Sequence, residues 1–347
     1  MSPLLAWDAL GLALLLGIFA VTAAVIGVAG VQTTRVADQL ARSTGLGHAW
    51  FGAIILGAMT SMPGLVTSLV AAASSAPKLA VSNAVGGIAA QTMFLVIGDI
   101  AYRRANLEHS AASLGNLLYG AVLLIVLSTL SAAMAMPDLA IGWVHPFSVL
   151  ALVLYGAGLR VVTKGERQEM WGPQRTAETE DDAATPDRER RSEATPKDWV
   201  VLFAYGSVLA IAGYVVARSG SAIGARTGLT ESVVGATLTA VVTSLPELVT
   251  TIAAVRRGAV TLAVAGVLGG NAFDCLFVSL SDVAYREGPI YAAVGEHEQV
   301  LLAVTAMMTG VLLLGLLRRE KHGLANIGFE SIVVGVLYLG SLALLFV

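Results

Sequence analysis

Two short segments place a proline and several hydroxyl side chains inside otherwise apolar runs. They read TSMPGLVTS at residues 60–68 and TSLPELVTT at residues 243–251. A proline within a helix removes one backbone donor and leaves nearby carbonyl oxygens unbonded, and the adjacent Thr and Ser hydroxyls add further oxygen atoms. Such groups need a neighbour, a water or an ion in hydrocarbon. Each segment therefore predicts either an oxygen-rich binding position or a simple packing kink.

Two acidic residues favour the binding interpretation. Glu247 lies in the second segment, and Asp274 lies in GGNAFDCLF, deep in the next apolar run. A carboxylate inside a bilayer is costly unless it has a partner. The Gly-Gly pair before Asp274 allows close helix packing, so we expect the two carboxylates to meet. Because these helices offer no Lys or Arg as counter-ion, the pair must share a proton or bind a cation. Oxygen ligands favour Ca²⁺, Na⁺ or Mg²⁺ over Zn²⁺ or copper.

The composition indicates that these segments belong to a membrane protein. Of 347 residues, 56% are hydrophobic and only 13% are charged, and the mean hydropathy is +0.76. A soluble chain of this length needs more charge to cover its surface. The net charge of −3 provides no basic field for nucleic acid. The single cysteine, Cys275, excludes a disulfide framework and a CxxC metal site.

Ten apolar runs are long enough to cross a bilayer as helices. Their sequences do not alternate between polar and apolar residues as the strands of a membrane barrel do. We therefore predict an all-α membrane protein with ten transmembrane helices. The predicted spans are 9–33, 49–73, 78–101, 113–136, 144–163, 198–217, 232–255, 259–284, 297–317 and 326–347.

An internal repeat relates the two ends of the chain. Residues 44–103 align with residues 227–286 at a constant offset of 183 without a gap, and about 24 of the 60 pairs are identical. The identities include the Thr-Ser-x-Pro, Gly-Gly and Tyr-Arg positions, which shared membrane composition does not explain. Each half holds five spans, an odd number, so the second copy enters the membrane upside down. The prediction is two inverted five-helix repeats, the plan of many secondary transporters.

A charged segment separates the two halves. We assign residues 1–163 to the first half, with its repeat at 44–103, and residues 198–347 to the second half, with its repeat at 227–286. Residues 164–197 are dense in charge and are expected to form a disordered linker. Of the 21 Lys and Arg residues, 17 lie in the linker or in loops on its side of the membrane. The prediction is a cytoplasmic linker with both termini outside the plasma (inner) membrane.

The paired motifs resemble the alpha repeats of the sodium/calcium exchanger family, within the cation/calcium antiporter superfamily. The helices of that family carry G-x-S-x-P-E followed by G-S-N-x-x-D or N. The resemblance covers most of the chain and is most specific in the second half. It implies that Glu247 and Asp274 are charged metal ligands. It also implies a set of neutral oxygen donors: Thr60, Ser61, Gln91, Thr243 and Ser244.

The first half departs from the family pattern. Gly64 occupies the position of the expected glutamate, and Gln91 occupies the position equivalent to Asp274. The serine of G-S-N is glycine in both copies, at Gly87 and Gly270. Two carboxylates neutralise one Ca²⁺ or two Na⁺, but they leave fewer ligands than the 6–8 oxygens that Ca²⁺ prefers. We therefore predict weaker or altered ion selectivity, with water or backbone carbonyls filling the space opened by Gly64.

The function that these features favour is secondary active antiport. It would move Ca²⁺ or another cation against Na⁺ by alternating access. We expect no enzymatic step and no cofactor, with the cation as cargo and the lipid bilayer as the surroundings. The sequence suggests no nucleic-acid or protein partner. Two alternatives stay open: a cation/proton exchanger, and a degenerate membrane scaffold that no longer transports.

Three further polar residues lie in or near the spans. Asp99 and Asp282 recur before Tyr-Arg in both repeats, and we predict structural pairs with Arg103 and Arg286 at the helix ends. Asn83 lies within the third span. We favour an interhelical hydrogen bond for its side chain, with a pore-side amide as the alternative.

Overall fold

The computed structural model describes residues 7–44, 57–102, 105–165, 195–321, 323 and 327–347. Within these residues the regular structure is helical, apart from isolated bridge residues at Ile141, Val144 and Ile327. The predicted linker lies mostly outside the described residues. The helix before it ends at Gly165 and the helix after it begins at Pro196.

Seven helices precede the linker and seven follow it in the described residues. The first set is α1 (Leu12–Thr44), α2 (Gly57–Thr60), α3 (Met62–Ala73), α4 (Pro77–Ala101), α5 (Leu107–Ala111), α6 (Leu114–Ala135) and α7 (Pro146–Gly165). The second set is α8 (Pro196–Thr227), α9 (Glu231–Thr243), α10 (Leu245–Arg256), α11 (Val260–Ala284), α12 (Ile290–Ala293), α13 (Glu296–Arg318) and α14 (Phe329–Leu344). Within α9, residues Val234–Thr239 form a π-helical segment.

The helix bounds recur at the offset found in the sequence. Both ends of α3 lie 183 residues before those of α10, and both ends of α4 lie 183 residues before those of α11. The starts of α7 and α14 are separated by the same number. The structural repeat therefore extends beyond the segments in which sequence identity was visible.

The chain is a multi-pass membrane protein. Among the described residues, seven helices are long and apolar enough to cross a bilayer, and α9 with α10 forms an eighth candidate bent by 49°. The apolar helices α3 and α14 are shorter. The predicted span 232–255 is therefore not one straight helix, because it breaks at Ser244. The predicted span 49–73 lies partly outside the described residues and breaks at Ser61.

The helices form a buried centre and a lipid-facing periphery. Helices α4 and α11 pack against each other and are buried along most of their length. Helices α1 and α8 pack together and expose large apolar side chains, including Val28 and Val200 at 67% each. Apolar exposure of this extent suits hydrocarbon, so polar side chains are left to the centre of the bundle.

The first helix of each half crosses the proline break of the other half. A Cβ atom added at Gly30 of α1 would lie 2.4 Å from Cγ of Pro246. A Cβ atom added at Gly213 of α8 would lie 2.5 Å from the carbonyl oxygen of Pro63. Glycine is needed at both crossings because the facing helices approach too closely for any side chain.

We expect Gly30→Ala to destabilise the protein, because the added methyl group clashes with Pro246. Overpacking of this kind costs about 1–3 kcal/mol. Thermal unfolding of the detergent-purified protein measures the loss. Gly27→Ala on the same helix is the matched control, since nothing lies within 4 Å of its added Cβ. Equal melting temperatures for the two variants would contradict the close crossing.

Asp99 joins α4 to two other segments at one end of the bundle. Its buried carboxylate accepts bonds from the Leu107 amide (2.8 Å), the Gly328 amide (3.0 Å) and the Ser331 hydroxyl (2.8 Å). Arg103, its predicted partner, lies outside the described residues. Asp99 therefore holds the start of α14, an element of the other half.

Asp282 makes the equivalent three bonds at its own end of the bundle. It accepts from the Ile290 amide (2.8 Å), the His145 amide (2.7 Å) and the Ser148 hydroxyl (2.7 Å). The guanidinium of Arg286 instead lies 4.2 Å from the ring centre of Trp143. The predicted pairing of Asp282 with Arg286 is therefore wrong. The Asp282 carboxylate is fully buried, whereas the Arg286 side chain is exposed. Two backbone amides and a hydroxyl therefore satisfy the carboxylate in place of the arginine.

Candidate ion-binding site

The two proline breaks meet beside α4 and α11 at a small cavity near the centre of the bundle. Its volume is about 10 Å³, roughly the space that one water molecule needs. Six of the seven predicted ion-binding residues line it: Ser61, Gln91, Thr243, Ser244, Glu247 and Asp274. The seventh, Thr60, is buried one residue before the break and does not line the cavity.

Asp274 is held by an amide from the other half. Its Oδ2 accepts a 2.6 Å hydrogen bond from Nε2 of Gln91, and the same nitrogen lies 3.4 Å from Oγ of Ser244. A carboxylate only accepts, so the amide nitrogen of Gln91 must face it. Gln91 is therefore first of all a donor to Asp274. Its Oε1 is directed elsewhere and stays free to contact an ion.

Glu247 is partly buried and reaches the same cavity from α10. Its Oε1 accepts a 3.4 Å bond from the Ser61 hydroxyl. This hydroxyl also interacts with Asp274, so Ser61 lies between the two carboxylates. The break in the helix places Ser61 there, because Ser61 is the residue that joins α2 to α3.

The threonine hydroxyls at the breaks donate to their own helices. Thr60 donates to the Gly57 carbonyl at 3.2 Å, and Thr243 donates to the Thr239 carbonyl at 2.9 Å. The Thr60 side chain is also within hydrogen-bonding reach of the Glu247 carboxylate, so Thr60 contacts a site residue although it does not line the cavity. The Thr243 hydroxyl oxygen keeps lone pairs that can accept a hydrogen bond or ligate an ion.

Four buried oxygen atoms of residues that line the cavity accept no hydrogen bond within the described part of the chain. They are Oδ1 of Asn83, Oε1 of Gln91, Oε2 of Glu247 and Oδ1 of Asp274. Buried acceptors are normally paired, and a group without a partner indicates a missing water or ion. No Lys or Arg is among the described residues that line the cavity. Four acceptors with two negative charges suit a hard cation and exclude an anion.

A family model described as "Sodium/calcium exchanger protein" matches residues 14–164 and 197–347. The chain belongs to the sodium/calcium exchanger family. A curated member, sodium/calcium exchanger MaX1 of Methanosarcina acetivorans, is 35% identical over 120 residues. The match covers 34% of this chain and 32% of that protein, so it spans about a third of the length of each.

Solved structures show the same exchanger fold. A structure of the sodium-calcium exchanger NCX_Mj, soaked with 100 mM Na⁺ and 10 mM Sr²⁺, has a TM-score of 0.59 at 22% identity. The similarity covers 96% of this chain and 99% of that one. The structure of native YfkE gives a TM-score of 0.60 at 16% identity and covers 94% and 91% of the two chains.

The ring of Phe277 lies next to Gly64, the position at which this chain lacks the glutamate of the family motif. A Cβ atom added at Gly64 would lie 3.2 Å from Cε2 of Phe277 and 3.6 Å from Oγ1 of Thr243. The aromatic ring therefore takes up part of the space in which we expected water or backbone carbonyls. This contact could not be predicted from the sequence, because Phe277 has a repeat counterpart in Phe94 and its pattern is that of an ordinary core residue.

Asn83 is the polar lining residue that the sequence analysis left outside the site. Its Nδ2 donates to the Gly64 carbonyl at 3.1 Å and to Oγ of Ser68 at 2.9 Å, which confirms the predicted interhelical bond. Asn83 lines the cavity, and its buried Oδ1 has no donor among the described residues. The repeat carried no signal for this residue, because the equivalent position is Gly266.

A second acidic group lies away from the cavity, between the spans α4 and α6. Burial, together with the charges of Asp99 and Glu330, raises the pKa of Glu108 well above its usual value. Neither carboxylate oxygen of Glu330 has a donor in the described residues. Glu108 and Glu330 therefore form a buried acidic pair that is separate from the cavity and does not line it.

Proposed function

We propose that this chain is a secondary active antiporter that binds Ca²⁺ or another hard cation between Glu247 and Asp274 and exchanges it for Na⁺. The observation that carries the proposal is the convergence of both carboxylates on one cavity. Each has a buried oxygen without a partner in the described chain, and the described residues that line the cavity include no Lys or Arg. Membership of the sodium/calcium exchanger family supports it.

The charge of the site accounts for coupled exchange. Two carboxylates are tolerable in a closed, low-dielectric site only when a cation or proton neutralises them. The protein therefore passes through its closed state loaded with one cargo or the other, and rarely empty. Exchange of one ion for another follows, because the return step needs a counter-cargo.

In this proposal, two inverted five-helix repeats form ten spans around the cavity and provide alternating access to it. The halves are residues 1–163 and 198–347, and recurrence of the helix bounds at an offset of 183 supports the division. We propose that the protein lies in the plasma (inner) membrane, with both termini outside and the 164–197 linker in the cytoplasm. The excess of Lys and Arg on the linker side supports this orientation.

The ligand set supports altered ion selectivity. The two carboxylates and the free amide oxygen of Gln91 supply five oxygen atoms, fewer than the 6–8 that Ca²⁺ prefers. The hydroxyls of Ser61 and Ser244 complete the set. Because this exchanger has one glutamate fewer than the family motif, it binds Ca²⁺ less tightly relative to Na⁺.

A cation/proton exchanger is the second candidate, because a proton satisfies two facing carboxylates as well as a metal ion does. Flux in proteoliposomes separates the candidates. We expect an outward Na⁺ gradient to drive uptake of radioactive Ca²⁺, with little effect when a protonophore collapses the pH gradient. Uptake that follows the pH gradient without Na⁺ would establish the proton exchanger instead. Folded protein without flux under any Ca²⁺, Na⁺, K⁺ or H⁺ gradient would contradict transport altogether.

A further inference from the structure

We propose that the side-chain oxygen of Asn83 is a direct ligand of the transported cation and takes the place of the first-repeat carboxylate that Gly64 lacks. The inference rests on the proposed function and adds a selectivity-determining residue to it. It arises from the cavity geometry, since Asn83 has no polar counterpart in the second repeat.

The orientation of the Asn83 amide is fixed by its two acceptors. One is the Gly64 carbonyl, which cannot donate. The other is the Ser68 hydroxyl, whose own hydrogen is committed to the Ala80 carbonyl at 3.0 Å. Both acceptors require the NH₂ group, so the oxygen must point away from them. The oxygen is buried and has no donor among the described residues, and Asn83 is one of the residues that line the cavity.

The backbone around Asn83 leaves its side chain little freedom. Asn83 is 2% exposed, and the π-helical segment of α9 packs closely against it. A Cβ atom added at Gly235 would lie 3.1 Å from the Asn83 backbone nitrogen and 2.7 Å from Cβ of Ser82. An oxygen held this firmly is preorganised for an ion and loses little entropy on binding.

The chemical consequence is a neutral ligand in place of an acidic one. With Asn83 instead of a second glutamate, the site keeps two negative charges and matches one Ca²⁺ or two Na⁺. A third charge would favour the divalent ion, so the amide shifts selectivity toward the monovalent one.

Calorimetric binding of Ca²⁺ and Na⁺ to the purified full chain tests this role. We expect Asn83→Ala to weaken Ca²⁺ binding about tenfold, the effect of losing one good polar contact. We expect Asn83→Asp to raise the preference for Ca²⁺ over Na⁺ by a similar factor. The matched control is Asn116→Ala. Asn116 is equally buried, donates to the Ala111 and Thr261 carbonyls, has an unpaired Oδ1, and does not line the cavity. Its variant should leave both affinities unchanged.

A second measurement does not depend on the folding of variants. Anomalous diffraction from crystals of the unmodified protein with Sr²⁺ should place the ion about 2.6 Å from Oδ1 of Asn83. An ion more than about 4 Å away overturns the assignment. So does unchanged Ca²⁺ affinity in Asn83→Ala when Glu247→Gln has lost binding, and in that case the proposed function still stands. If the unmodified protein binds neither ion, the proposed function fails and this inference fails with it.

Discussion

Glu247→Gln is expected to reduce ion-driven exchange by at least about 100-fold, because removing one charge from a buried pair with its ion costs about 3–5 kcal/mol. The substitution keeps the size of the side chain and its contact with Ser61, so the helix break should remain. Asp274→Asn should have an effect of similar size. The initial rate of Na⁺-driven Ca²⁺ uptake in proteoliposomes measures both.

The matched control for these substitutions is Glu296→Gln. Glu296 is an exposed glutamate at the start of α13, far from the cavity lining, and its charge should not affect the flux. Size-exclusion profiles must show that all three variants fold. Full flux in folded Glu247→Gln protein would remove this residue from the ion path.

Gly64→Glu is expected to abolish exchange when introduced alone and to restore it with stronger Ca²⁺ preference when combined with Phe277→Ala. In the single variant, the new side chain meets the Phe277 ring, which already lies 3.2 Å from the ideal Cβ position. In the double variant, the smaller residue leaves room for a third carboxylate. A third carboxylate should improve Ca²⁺ competition against Na⁺ by about tenfold or more, since charged ligands contribute more than neutral ones.

Competition of Na⁺ with Ca²⁺ uptake measures this selectivity, and Phe277→Ala alone is the control. The single Phe277→Ala variant enlarges the cavity but adds no charge, so its ratio of Ca²⁺ to Na⁺ affinity should stay near that of the unmodified protein. A fully active Gly64→Glu single variant would show that the ring is not an obstacle.

The sequence predicted which segments meet, because their Thr-Ser-x-Pro positions recur at one offset and their carboxylates need a common partner. The recurrence of the helix bounds at that same offset agrees with this prediction. Six of the seven predicted binding residues do line one cavity. The repeated motif and the two acidic residues were sufficient to predict this convergence, because a carboxylate inside a bilayer needs specific partners and an apolar residue does not.

Other features depend on side-chain directions that a linear pattern does not contain. Asn83 and Phe277 line the cavity because of the way α4 and α11 are rotated about their axes. A buried helix that is apolar on all sides has no sequence pattern that predicts this rotation. The donation from Gln91 to Asp274 depends likewise on the distance between two helices. The hydrogen bonds of Asp282 could not be predicted, because two of its three donors lie more than 130 positions earlier in the chain.

The bonds of Asp99 and Asp282 mean that neither half of this molecule is a complete folding unit. Each aspartate takes two of its three donors from the last helix of the opposite half. A fragment produced alone would therefore carry an aspartate carboxyl group that has lost two of its three hydrogen-bond donors. If the chain were cut between residues 166 and 194, the two pieces should remain associated, because their mutual attachment lies in the bundle and not in the peptide that connects them.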